Sequence, residues 1–326
     1  MSFSFPKQGF VFWPVGTGDS TSICIDEETV MQVDLRQVAA TDDDAHCSIV
    51  DELKESLPKR DDKPYLAVFV LTHPDQDHIS GFKRLRQEVT IGEIWFAPRI
   101  FREQNKELCD DANDFRREAK RRVKVTRETD GDVDSGDRVR IIGYSDLLEE
   151  DDFQGFPSER LTIPGNDIFE VDGDDREDVF SAFVHAPFKD DDAAKERNET
   201  SVCLRVELKN NEATGQIMLL GDISYPTLRK IFDKTREKEN DEKLTYDVFQ
   251  SPHHCSKSVM YYQSHDDDKP KLKQDILDDI EKEGRDGYYI IASCDPIPSR
   301  NNDGDNPPHA KAKARYESIV ESGNFL

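Results

Sequence analysis

The segment Leu66-Ala-Val-Phe-Val-Leu71-Thr72-His73-Pro74-Asp75-Gln76-Asp77-His78-Ile79-Ser80-Gly81 decides how this chain is read. Residues 65–72 form an unbroken apolar run rich in β-branched side chains. Its lack of alternation marks a strand covered on both faces, as in a sheet flanked by helices. The residues that follow place two imidazoles and two carboxylates within one short turn, at the C-terminal end of that strand. Divalent cations need such N and O donors, and donors so close to a strand end can converge on one point. The plain alternative is a polar loop that happens to hold two histidines. The placement of the other histidines argues against it.

The chain has eight histidines. His185 ends the apolar run 180–184, His253 and His254 follow the run 248–251, and His309 opens the last helical stretch. Asp222 follows another apolar run as Leu220-Gly221-Asp222. Only His46 and His265 lie away from such positions. Donors at successive strand ends are how an α/β scaffold assembles a site on one edge of its sheets, and several together are rarely structural alone.

Working outward, residues 10–15, 21–25 and 30–35 read as strands, the first two joined by Gly16-Thr17-Gly18-Asp19. Residues 48–57 have helical spacing and end at Pro58. A helix start at 81–87 and a strand at 91–96 follow. Strands are expected at 180–184, 201–208, 216–220, 248–251 and 288–293, and helices at 226–238, 271–282 and 309–322. This alternation predicts an α/β layered fold. Residues 101–125 are a charged helical segment, and 126–175 are Asp- and Gly-rich with a strand at 139–142. Together they read as an insertion at 101–175 in one domain spanning 1–326. The acidic runs 42–44, 190–192 and 266–268 read as solvated loops.

Lys and Arg total 44 against 69 Asp and Glu, a net charge of −25 over 326 residues. That balance excludes a globally cationic nucleic-acid coat or a binder of anionic membranes; a polyanion would have to be held by a local patch or by metal ions. The longest clean apolar run, 66–71, is far short of the roughly 20 residues of a membrane helix. The start, MSFSFPKQ, carries no basic-then-apolar leader, so a cytoplasmic protein without a membrane partner is expected. The six cysteines form no CxxC pair and read as reduced thiols.

The order HxDxDH, a strand-end His, LLGD and then HH-x-S resembles the metallo-β-lactamase superfamily, and most of all its ComEC-like metallohydrolase branch, named for the soluble domain of a DNA-uptake competence protein. Further marks are the VGTGD turn ending at Asp19, Asp34 after the third strand, Asn198 with Ser201, and NPPHAKA at 306–312. The resemblance spans nearly the whole chain outside 101–175. It implies an αββα sandwich, two mixed β-sheets flanked by helices. The chain departs from the family at Cys255, where HHGS has Gly, and at Pro308, where Gly precedes the His. The family continues past the position of Leu326 into a further short strand, so a truncated edge is expected.

Carried over residue by residue, the resemblance implies one cation on His73, Asp75 and His185, a second on Asp77, His78 and His254 (or His253), and Asp222 bridging them. It makes Asp34 a partner that fixes a ligand imidazole and gives His309 a similar supporting place. Asp75 stands where many members have a second His. A carboxylate there hardens the site and moves preference from Zn²⁺ toward Mn²⁺ or Mg²⁺, and it weighs against a β-lactam substrate. The reaction implied is hydrolysis assisted by two divalent metal ions, in which the cations ionise a shared water that Asp77, the catalytic residue, helps to orient.

The implied substrate is a phosphodiester, with DNA foremost, so a phosphodiesterase or nuclease is expected. Lys257 and Ser258, just past the histidines, are candidates to reach a phosphate. So are Arg117 and Arg121 in the basic cluster FRREAKRRVKV, unless that helix merely pairs with nearby carboxylates. Two other readings stay open. One is a hydrolase of a small ester, thioester or cyclic nucleotide, capped by the 126–175 region; salt-insensitive activity would mark it. The other is a regulatory or interaction protein that keeps the fold, whose function would survive loss of His73 and Asp77. A free-standing version of a domain otherwise joined to a membrane channel implies a protein partner in a multi-protein system, a description that a bacterial defence effector would fit.

Overall fold

The computed structural model describes residues 3–43, 45–193, 196–211, 213–302 and 304–326, so Asp44 of the first acidic run lies outside the described residues. Two mixed sheets lie face to face. The first runs, in spatial order, β1 (Gly9–Phe12), β2 (Thr21–Cys24), β3 (Val30–Val33), β4 (Lys63–Leu71), β5 (Thr90–Phe96), β6 (Arg138–Ile142) and β7 (Leu161–Thr162), with Lys59–Arg60 paired to the start of β4. The β1–β2–β3 meander is antiparallel, and from β3 to β7 the pairing is parallel. The second sheet holds β8 (Asp167–Ile168), β9 (Phe180–Ala186), β10 (Cys203–Lys209), β11 (Thr214–Leu219), β12 (Tyr246–Gln250) and β13 (Gly284–Ile291), again neighbours in chain order.

The side chains of the strands explain the layering. In β4, Ala67, Val68 and Val70 enter a core between the sheets with Trp95, Val184, Val206 and Ile217. Leu66, Phe69 and Leu71 face the other way, against helices α1 (Ile49–Ser56), α2 (Phe82–Glu88) and α3 (Asp110–Glu128) through Leu53, Phe82, Leu85 and Phe115. A strand with both faces buried has no reason to alternate, which is why 65–72 is uniformly apolar. On the far side, α4 (Tyr225–Glu237), α5 (Gln274–Glu283) and α6 (Ala310–Tyr316) cover the second sheet through Leu228, Phe232, Ile276, Ile280 and Tyr316. The result is helix, sheet, sheet, helix. Each large side chain buried in these layers contributes about 1.5–3 kcal/mol relative to exposure.

The 101–175 stretch is not an appendage. Phe115, Ala119 and Val123 of α3 belong to the outer core, β6 and β7 extend the first sheet, and β8 extends the second. Composition misled here because the charge sits on the outer face of α3 while its inner stripe is apolar. The acidic run at 190–192 also differs from a solvated loop. It lies in the short helix Lys189–Ala193, where Asp192 is buried, accepts from the Tyr144 hydroxyl at 2.8 Å and pairs with Arg102. At the end of the chain, Phe325 pairs with Ile290 beside β13. All six cysteines are free thiols. Among the described residues, no helix is long and apolar enough to cross a membrane.

Parallel pairing of β3 with β4, and of β11 with β12, brings four strand ends to one edge of the sandwich. The two sheets are tied there by the Val202 N–H donating to the Thr72 carbonyl at 2.9 Å.

Candidate metal centre

Asp34 follows β3 with its backbone in the left-handed region, φ 55°. This turns its carboxylate toward the end of β4. Oδ1 accepts from the Thr72 N–H at 2.8 Å and Oδ2 from the Thr72 hydroxyl at 2.5 Å; Oδ2 also lies 2.7 Å from His78 Nδ1. His73 Nδ1 lies 3.1 Å from the same hydroxyl. With Thr72 donating to Asp34, its oxygen is free to accept from His73. Both rings thus turn Nδ1 toward Thr72 and Asp34 and present Nε2 to the site.

Asp222 is the hub. Its Oδ1 lies 3.1 Å from His78 Nε2 and 3.4 Å from His254 Nε2, and its Oδ2 lies 3.8 Å from His73 Nε2 and 3.7 Å from His253 Nε2. The carboxylate is 3 % exposed, held by an N–H that donates to Ser201 Oγ at 3.3 Å. Gly221 permits this turn. Its φ is +55°, and a Cβ there would sit 2.9 Å from the Ser201 side chain and 3.2 Å from Thr72 Cβ. His254 Nε2 is 3.3 Å from Asp77 Oδ2, and its Nδ1 is 3.2 Å from the Ser293 carbonyl and 3.4 Å from Asp19 Oδ1. Asp75 Oδ2 lies 3.6 Å from His73 Nε2, while its other oxygen pairs with Arg197.

The donors Asp19, His78, Asp222 and His254 all lie within 4.8 Å of one another. His73 Nε2 and Asp222 Oδ1 are buried with no hydrogen-bond partner among the described residues. Buried polar atoms are ordinarily satisfied, so orphans converging on one point fit a cation. The acid–base state agrees. Burial opposes charge on Asp222, yet His254 and His78 hold its carboxyl well below the usual range. Burial likewise works against the His78 imidazolium, but Asp222 and Asp34 raise it well above its ordinary value. Protons thus fill the place a cation would take, the exchange expected when metal binds such ligands.

His253, His254 and Cys255 all have left-handed backbones, φ 51°, 52° and 64°. Each costs about 1–3 kcal/mol in a non-glycine residue, and such strain persists where the surroundings hold the chain in a required shape. The Cys255 side chain points into the core beneath α4 and α6, and burial pushes its thiol up to about 12. The residue that replaces the resemblance's glycine is therefore a packing element and not a thiolate ligand.

His185 is not brought to the cluster. A bulge between Val184 and Ala186 turns it out of register. Its Nδ1 lies 3.1 Å from Thr235 Oγ1, its Nε2 lies 3.1 Å from the Lys243 carbonyl, and its ring packs edge-on against Phe183. Burial pushes it down to about 3. His253 occupies the neighbourhood expected of it, and His254 lies in the other half of the site. His309 also stands apart from the cluster. Its Nδ1 accepts from the Lys257 N–H at 3.2 Å and its Nε2 faces the Asp305 carbonyl at 3.0 Å, so it props the turn after the histidines.

A cleft of about 1080 Å³ opens on Asp75, Asp222 and His253, with Arg99, Arg102 and Arg197 in its walls. Ser258 lines it, but Lys257, Arg117 and Arg121 are not among its described walls. Arg117 pairs with Asp114, and Arg121 with Glu118 and Asp137. The basic helix thus spends its charge within the molecule. Asp19, which the sequence reading noted only as the end of a turn, is the ligand candidate that reading missed. Its signal was the VGTGD turn itself: Gly18 admits the close approach of the Asp77 carbonyl, to which the Asp19 N–H donates at 3.2 Å.

No family profile matches the sequence, and no curated protein matches it. Among solved structures, the chain is similar to an archaeal metallo-β-lactamase superfamily protein from Sulfolobus tokodaii, at 10% identity over 96% of this chain and 97% of that one, TM-score 0.33. It is also similar to BJP-1, a subclass B3 metallo-β-lactamase of Bradyrhizobium japonicum, at 14% identity over 97% and 89%, TM-score 0.34. A class B3 di-zinc metallo-β-lactamase from an Alaskan soil metagenome gives 12% identity over 75% and 76%, TM-score 0.32.

Proposed function

We propose that the protein is a metal-dependent hydrolase of the ComEC-like metallo-β-lactamase type, cleaving phosphodiester bonds in a nucleic-acid strand. The observation that carries this reading is the Asp222 carboxylate, whose two oxygens face two separate groups of imidazoles. Asp222 with His78, His254 and Asp19 would hold one cation. Its other oxygen with His73, His253 and Asp75 would hold a second, His253 taking the place that the resemblance gave to His185. Bound there, two divalent ions would supply Lewis acidity, lowering the pKa of water at the site and offsetting phosphoryl charge. Three carboxylates beside four imidazoles accommodate Zn²⁺ and favour Mn²⁺ more than an all-imidazole set would.

The chain's own groups do the rest. Asp34 fixes the tautomer and direction of His78 and, through Thr72, of His73; the Ser293 carbonyl does so for His254. Asp77 has a half-exposed carboxylate beside His254, and the imidazoles there hold it ionised, down at about 2, against the burial that would raise it. It would accept a hydrogen bond from a water at the rim of the centre and so orient it. Arg197, paired with Asp75 and Glu103 in the cleft wall, holds the Asp75 carboxylate beside the centre. The sequence resemblance and the size of the cleft support a phosphodiester over a compact ester.

The test is turnover of a single-stranded oligonucleotide and of bis(p-nitrophenyl) phosphate by purified protein with Mn²⁺, Mg²⁺ or Zn²⁺. Cleavage is expected, with Asp77→Ala and Asp222→Asn inactive. Lack of turnover of either ester with every metal would refute the reading.

A further inference from the structure

A second cavity, about 270 Å³, lies on the other side of the turn that follows the metal-facing histidines. Lys257 lines it while Ser258 lines the main cleft, so this one turn forms part of both walls. Three cations meet there: Lys257, Arg300 and Lys311. Among the described residues, none of the three is paired with a carboxylate. Elsewhere the arginines that the sequence singled out, and others such as Arg229 and Arg236, are tied to Asp or Glu. Three cations that line one cavity without a carboxylate partner repel each other, and an anion between them would relieve that repulsion.

The rim is held in place without using those charges. The Asn301 side chain donates to the Pro308 carbonyl at 3.0 Å and accepts from the Ala310 N–H at 2.8 Å, clasping the 300–302 segment to the start of α6. His309 accepts from the Lys257 N–H at 3.2 Å, and its own N–H donates to the Cys255 carbonyl at 3.1 Å. The backbone on which Lys257 stands is thereby fixed relative to His254, three residues earlier.

We infer that this cavity is a phosphate-binding subsite, which receives a phosphate group adjoining the one cleaved at the metal centre. The inference rests on the phosphodiesterase reading and names where the rest of that substrate is held. A phosphate next to the scissile bond could lie within a nucleic-acid strand or be the terminal monophosphate at a strand's end, which adenosine monophosphate mimics, and the two sources share the same oxyanion chemistry.

The test uses Arg300→Gln/Lys311→Gln, two exposed residues that are not among the metal-facing donors, with unchanged thermal melting as the check on folding. Binding of a fluorescein-labelled single-stranded DNA and of adenosine monophosphate is measured by anisotropy and calorimetry across a salt series. Hydrolysis of the strand and of bis(p-nitrophenyl) phosphate, which has no adjoining phosphate, is measured in parallel. For a strand, the slope of log affinity against log salt should flatten by about 1.4, at about 0.7 for each cation removed from a phosphate. The KM for the strand should rise while kcat and bis(p-nitrophenyl) phosphate turnover hold. A loss confined to adenosine monophosphate assigns the subsite to a terminal phosphate. Unchanged affinity for both probes overturns the subsite even if the enzyme is active, whereas an inactive wild type with intact, variant-sensitive binding overturns only the hydrolase reading.

Discussion

Asp34 Oδ2 lies 2.7 Å from His78 Nδ1 while its Oδ1 accepts the Thr72 N–H, so one carboxylate both closes the turn after β4 and aims a metal-facing imidazole. Asp34→Asn keeps an oxygen for the Thr72 N–H but replaces the acceptor facing His78 with a donor. Divalent-metal affinity should fall by about 10–100-fold, read by competition with a fluorescent chelator. The melting temperature of the metal-free protein should move far less than its metal-bound value.

His185 separates the expectation drawn from resemblance from the geometry. His185→Gln should leave the metal content per chain unchanged by elemental analysis, whereas His73→Ala and His254→Ala should each lower it. A loss of metal in His185→Gln would show that His253 does not take its place.

The same residue gives a pH signature. His185 is buried and pushed from 6.5 down to about 3, first by burial. The unfolded chain takes up a proton below 6.5 that the folded chain refuses, so stability is lost as pH falls from 6.5 toward 3. The limiting slope for one such group is about 1.4 kcal/mol per pH unit. Urea titrations at several pH values should show a shallower decline in His185→Gln.

Gly221→Ala should be disproportionately harmful for a single methyl. The left-handed backbone alone costs about 1–2 kcal/mol, and the new Cβ would press on Ser201 and Thr72. Denaturant unfolding should show at least that loss, together with weaker metal binding, because Asp222 follows directly.

Arg117→Gln/Arg121→Gln should leave the salt dependence of strand binding as it is in the wild type, since both side chains are already paired with Asp114, Glu118 and Asp137. A flattened slope in this variant would return the basic helix to the substrate face.

Much of the layered fold was legible because burial imposes simple rules on composition. The uniformly apolar β4 announced a strand covered on both sides, and most helices and strands fall within a few residues of where periodicity put them. The 101–175 region was illegible as part of the sandwich. Its charge count reports the exposed face of α3, while a few residues such as Phe115 and Val123 do the packing. At the site, His73, Asp75, Asp77, His78, Asp222 and both His253 and His254 were found from residue type and strand-end position alone, and these the fold does gather.

Local sequence therefore determined which side chains were chemically able to bind a cation and which strands carried them, since both depend only on residue type and pattern. Which of them meet was decided by tertiary structure. A one-residue bulge sends His185 into a separate pocket, strained backbone at 253–255 brings two adjacent histidines to opposite oxygens of Asp222, and the β1–β2 turn delivers Asp19. The physical reason is that a side chain's direction turns with its backbone dihedrals and strand register, and these are set by packing between elements far apart in the chain.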